Sequence, residues 1–183
     1  GIRYRATSHI APVFGEYVNE DIEGYPYDPE KAEELLDEAG YEDVDGDGYR
    51  EDPNGEELVI NYMARANSDA AGPIAKYYIQ AWKAVGLNVQ LVDGRLHEAN
   101  TFYDRVQADD PKIDIHEGGW SVGSDPTPEG LYGENAAFNF SRFVDEKNND
   151  FFKQMYSQDA LDEEKRYEIF HDWQEYFMYE AAP

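Results

Sequence analysis

Apolar positions along this chain recur first at helical spacing and then in short alternating runs. Residues 1–27 show little helical period. Asp28-Pro29-Glu30 then supplies an N-cap, a proline at the first helical position and an acidic first turn. Ala32, Leu35, Leu36 and Ala39 share one apolar face, and Gly40 closes that helix. Leu58–Met63 reads as a strand. Pro73 opens a helix whose inner face is Ile74, Tyr78, Ala81, Trp82 and Val85, ended by Gly86. Leu87, Val89 and Leu91 alternate with polar residues as a second strand, followed by a helix over His97–Gln107 and a short strand at Ile113–Ile115. Two helices near Asn148–Gln158 and Asp162–Tyr179 close the pattern. In the last, Tyr167, Ile169, Phe170, Trp173, Tyr176 and Phe177 sit at helical spacing and read as core residues. Strand, helix, strand, helix, strand is the mark of βαβ units. It predicts a single α/β domain over 1–183 with a mixed or largely parallel sheet flanked by helices.

Composition narrows the function classes. The chain has 183 residues, 41% of them apolar and 30% charged, enough for a buried core. Its formal net charge of −25 excludes a nucleic-acid partner, which needs clustered Lys and Arg, and an anionic membrane surface would repel it. Cysteine is absent, which removes disulfides, thiolate nucleophiles and Cys-based zinc sites. No apolar run is long enough to enter a bilayer. His9, His97, His116 and His171 show no metal-ligand spacing. Gly1 opens the chain, and Ala181-Ala182-Pro183 ends it directly after a strongly patterned helix; both ends look like cuts in a longer protein.

Two segments carry candidate chemistry. In GGWSVGSDPTPEG, from Gly118 to Gly130, residues Gly119–Gly123 spell G-x-S-x-G, the pattern of a hydrolase elbow, with Asp145 or Asp150 and then His171 following in triad order. An elbow needs a helix to begin at the serine, and Gly123, Pro126, Pro128 and Gly130 oppose one, Pro128 alone costing about 3 kcal/mol in a helix interior. The other reading is a binding loop at a strand's carboxyl end. Trp120 gives it a flat apolar wall, Ser121, Val122 and Gly123 leave backbone groups open to a ligand, and Asp125 accepts hydrogen bonds. Phe138, Asn139 and Phe140 border the same cleft. An ordinary surface turn suits these residues equally.

The acidic loop from Asp43 follows an EF-hand register. Carboxylates stand at Asp43, Asp45, Asp47 and Glu51, a glycine at Gly46 and a carbonyl at Tyr49. Asn54 occupies the position of the usual bidentate Glu, and Asp52 or Glu56 would have to complete the shell. A structural Ca²⁺ and a plain Asp/Gly turn are the two readings, and no cofactor is required by either.

Four stretches together resemble the oligopeptide-binding subunits of ABC importers, the extracellular solute-binding proteins of family 5. They are Tyr27–Tyr41 (YDPEKAEELLDEAGY), Asp45–Gly48 leading into Leu58–Ile60, Ile79–Val89 (IQAWKAVGLNV), and Gly119-Trp120 through Asp125-Pro126. The resemblance implies a lobe of a type II periplasmic-binding-protein-like fold: mainly the second lobe of a two-lobed receptor, with 1–27 as a hinge-proximal lead-in. It implies no enzymatic activity, an oligopeptide ligand held between two lobes, and delivery to the permease of the transporter. Localisation is then extracytoplasmic, periplasmic or cell-surface, with any lipid anchor outside this segment. In short-peptide binders of that family an Asp matching Gly123 grips the ligand's amino group, and some relatives carry a basic residue where this chain has Glu117. Both departures point to longer peptides. Some members carry nickel, sugars or other non-peptide cargo.

Overall fold

Asp28 opens the first helix as its sequence demands. In the computed structural model, which describes residues 6–181, its carboxylate accepts the Lys31 amide at 2.9 Å, and α1 spans Pro29–Glu38. Gly40 leaves the helix at φ +85°, a conformation that glycine adopts without strain. The expected apolar face of α1 is not buried: Leu35 is 52% exposed, and Ala32 and Leu36 are only half-buried.

Contacts divide the chain into two compact units, Pro26–Gly119 and the chain on either side of it, through Tyr25 and from Trp120. The first unit is built on a parallel sheet. Strands β1 (Val59–Met63), β2 (Asn88–Leu91) and β3 (Ile115–His116) lie in the order β2-β1-β3. Val59 pairs with Asn88 and Tyr62 with both Leu91 and Ile115. Helices α2 (Ala71–Ala84) and α3 (Ala99–Gln107) make the crossovers. Strand alternation sends Ile60, Tyr62 and Ala64 to one face, where they pack with Ala75, Ile79 and Trp82 of α2 and with Val89, Leu91 and Ile115. Met63 points the other way and is wholly buried, and α3 contributes the buried Phe102 and Val106. Enclosing Met63 and Phe102 stabilises the unit by roughly 1.5–3 kcal/mol each, more than the brief β3 ladder supplies.

Three boundaries differ from expectation. Helix α2 starts at Ala71 rather than Pro73, because a proline in the first turn gives up no helical hydrogen bond. His97 is not helical. It extends the sheet by a parallel bridge to Arg65, donating its amide to Ala64 at 2.9 Å, and its buried ring lies 3.0 Å from the Val92 carbonyl oxygen. Strand β3 sits two residues later than Ile113, on Ile115–His116.

Helices dominate the second unit: a 3₁₀ turn at Pro12–Tyr17, the short α4 (Glu129–Tyr132), α5 (Glu146–Met155) and α6 (Glu163–Tyr179). Asp145 and Asp162 cap α5 and α6 by accepting the amides of Asn148 and Lys165. The core gathers Ile10, Phe152, Met155, Phe170, Trp173, Tyr176 and Phe177, with Trp173 and Phe177 stacked at 4.7 Å. Inside it Trp173 donates to Asn148, whose amide donates in turn to the Tyr132 carbonyl. Gln174 ties down the segment that lacks helical period: it accepts from Ser8 and from the Asn19 amide and donates to the carbonyls of Tyr17 and Phe170.

Replacing Gln174 by Ala strands the half-buried Ser8 hydroxyl, Asn19 amide and Tyr17 carbonyl, and a loss of about 2–4 kcal/mol is expected from chemical denaturation. A Gln174→Glu variant sets a carboxylate against the Tyr17 and Phe170 carbonyl oxygens and is expected to cost at least as much at neutral pH, with part of the loss regained as falling pH protonates it.

Candidate functional site

Beyond β3 the chain carries no regular structure until α4, and residues 118–125 are all exposed. Among the described residues, the backbone amides and carbonyls of Trp120–Ser124 have no hydrogen-bond partner in the protein. No helix begins at Ser121, so the elbow geometry is missing. The other members of the expected triad are engaged elsewhere. Asp145 caps α5 and accepts from the Tyr176 hydroxyl, Asp150 pairs with Lys153, and the His171 ring donates to the Glu16 carbonyl at 2.8 Å. The hydrolase reading therefore has no support in the structure.

The binding-loop residues do come together in part. Trp120, 43% exposed, has its ring 4.9 Å from that of Phe138 and 5.6 Å from that of Phe140. Phe138 and Phe140 meet edge to face at 6.2 Å. The result is a half-open aromatic platform, with Val122 standing exposed in the same loop. Gly123 faces open space: an added Cβ would meet nothing within 4 Å.

Asn139 is a correction. Expected at the ligand, it is 4% exposed and wholly consumed by its own turn. Its amide nitrogen donates to the carbonyls of Gly133 and Phe143, and its oxygen accepts from the Ser141 hydroxyl and the Phe143 amide. With Asn139 turned inward, its two phenylalanine neighbours are held on the outside. Gly133 makes this turn possible, because a Cβ there would lie 2.8 Å from the Glu129 carbonyl oxygen. Phe138 carries more of the platform than the sequence assigned to it; the signal was its place two residues before Phe140.

Asp125 holds the loop's exit. Its carboxylate accepts from the Thr127 amide at 2.9 Å and hydroxyl at 2.7 Å, with Arg166 at 3.8 Å. Partial burial opposes ionisation, but the Thr127 bonds and the Arg166 charge outweigh it and hold the carboxyl below the usual range. The exposed ion pair itself contributes little. Beyond the platform, an open groove of about 750 Å³ is lined by Glu129, Glu134, Asn149, Lys153 and Tyr156 among others.

In the acidic loop, three of the five expected ligands converge. Oxygens of Asp43, Asp45 and Glu51 lie within 4.8 Å of one another. Asp47 lies outside that group and accepts the Tyr49 amide. Asp52 stands outside that group, its carboxylate accepting from Asn54 and the Glu56 amide, while Asp43, Asp45 and Glu51 accept loop amides of their own.

Comparison with known proteins identifies the family. The family described as bacterial extracellular solute-binding proteins, family 5 Middle, matches residues 1–141. The oligopeptide-binding protein OppA of Lactococcus lactis subsp. lactis is 38% identical over 150 residues, covering 79% of this chain and 24% of that protein. The solved structure of lactococcal OppA, complexed with an endogenous peptide in the closed conformation, superposes with a TM-score of 0.88 at 34% identity, over 94% of this chain and 32% of that one. A mannohexaose-bound oligopeptide-binding protein of Thermotoga maritima shares the fold, with a TM-score of 0.76 at 23% identity over 94% and 34% of the two chains. This chain thus spans about a quarter to a third of these relatives.

Asn139→Leu is expected to cost about 2–3 kcal/mol through the groups it strands. It should also displace the Trp120 indole resonance in a ¹H–¹⁵N spectrum more than that of Trp173, since the turn that places Phe138 and Phe140 is lost.

Proposed function

Because the chain belongs to the bacterial extracellular solute-binding proteins of family 5, we propose that it is mainly the second lobe of a two-lobed oligopeptide receptor of an ABC importer. The parent protein captures extended peptides between two lobes and hands them to the importer's permease. It works outside the cytoplasm, and a lipid anchor belongs to this reading as part of the parent. The family is one of solute-binding proteins, and the chain binds rather than transforms its ligand. One observation carries the reading to these residues: unpaired backbone from Trp120 to Ser124 runs beside an exposed aromatic platform. An extended peptide can pair with such backbone as an added strand while its side chains rest on the rings. Trp120, Val122 and Phe140 supply the apolar contact. Ser121 and Gly123 supply open backbone, and Asp125 fixes where the loop leaves. Asn139 acts beneath them as a brace.

Native mass spectrometry of the gently purified receptor should release a mixture of peptides several residues long; a single non-peptide solute would overturn the peptide reading and leave the fold untouched. Gly123→Asp, for which the loop has room, is expected to strengthen binding of free-amino peptides over their acetylated forms by about tenfold, as a new charged hydrogen bond would.

We propose further that the acidic loop holds a structural Ca²⁺, on the convergence of Asp43, Asp45 and Glu51. Calcium is then expected to raise the melting temperature by several degrees, and Asp45→Asn to abolish that rise. An unchanged melting curve would leave the loop as a hydrogen-bonded turn.

A further inference from the structure

Within Pro26–Gly119 a second, smaller pocket opens at the carboxyl ends of β1 and β3. It measures about 270 Å³ and is lined by Tyr62, Tyr78, Trp82, Ile115, His116 and Glu117. The order β2-β1-β3 takes the chain to opposite sides of β1, the point at which open parallel sheets leave a crevice for ligands. Its size suits one long side chain and not a peptide. Aromatic rings form its walls: Trp82 lies 5.5 Å from Tyr62 and 6.0 Å from Tyr78.

Glu117 closes one end. Half-buried, it accepts only two long hydrogen bonds, 3.2 Å from the Tyr62 hydroxyl and 3.3 Å from the Arg65 amide. Among the described residues it forms no ion pair. The nearby Arg65 guanidinium turns away, donating to the Tyr103 hydroxyl and lying over the Phe102 and Tyr103 rings. Burial, with the Glu117 charge, holds the Tyr62 hydroxyl protonated well above its ordinary range, so it stays a neutral donor. A half-buried carboxylate without a cation, facing aromatic walls, is the arrangement that recognises a positive charge. An uncharged apolar side chain would fill the walls and leave Glu117 as it is.

We propose that this pocket takes a basic side chain of the bound peptide, lysine or arginine, its stem against Trp82 and Tyr78 and its cationic head at Glu117. The identity of the ligand rests on the receptor reading above; the pocket's preference for a cation does not. The chain's net charge of −25 draws such a group in from a distance.

Two measurements on the intact receptor test it. In the first, matched peptides differing only in lysine or norleucine at one position are compared by calorimetry. At one such position lysine is expected to bind about tenfold tighter, and Glu117→Gln, which keeps an acceptor for Tyr62, to remove the preference while sparing the norleucine peptide. Equal affinities, or a preference that Glu117→Gln leaves intact, would overturn the proposal. In the second, fluorotryptophan NMR follows Trp82 during addition of Nα-acetyl-lysine amide or its norleucine analogue. A shift caused by the lysine probe alone supports the pocket, and identical responses overturn it. If no peptide binds at all, the receptor reading fails, and the small probes alone decide the pocket.

Discussion

Gln174 sits among aromatic side chains with every polar atom engaged, reaching residues more than 150 positions away in sequence. Asn148 does the same for Trp173 and Tyr132, and Asn139 for the turn that carries Phe138 and Phe140. These amides answer a constraint set by composition. With 40 carboxylates against 15 Lys and Arg, the chain has few cations to spend on internal joints. A neutral amide both donates and accepts, so it joins loop to helix without adding charge to the interior. The helical core and the Phe138–Phe140 turn depend on it: each has an amide at its edge that fixes the backbone around it.

The same economy shapes the site. Among the described residues, nothing near Trp120 is arranged as a nucleophile, a base and an orienting acid. Open backbone, flat rings and room for a side chain are found there instead, and Asp125 and Asn139 spend their hydrogen bonds on shaping the loop. Such a surface suits ligands that share a backbone and vary in side chain. That is what chemistry asks of an oligopeptide receptor, the function proposed above; the lactococcal relative was solved with an endogenous peptide bound.

Much of the fold was legible where local chemistry decides it. Asp28, Pro29 and Gly40 mark α1 because capping and chain reversal are properties of a few adjacent residues, and the alternation of Leu87, Val89 and Leu91 marks β2 for the same reason. What escaped depends on distant partners. Leu35 belongs to an apolar stripe, but the stripe cannot say whether anything covers it. His97 reads as the start of a helix until Arg65 offers it a strand to pair with. Asn139 looks like a ligand contact because its inward turn is fixed by Gly133 and Phe143, which no periodicity connects to it. Phe138 reaches Trp120 only through that turn.

The segment around Ser8–Asn19 finds its partners on α6, as much as 166 residues away, with the entire β-sheet unit between them in sequence. Its closing therefore waits until α6 has emerged, however early the segment itself is made. A chain leaving a ribosome or a translocation channel would hold Ile10, Phe14 and Tyr17 apart from their α6 partners throughout that interval, while the sheet unit, whose contacts lie within one continuous stretch, is free to form first.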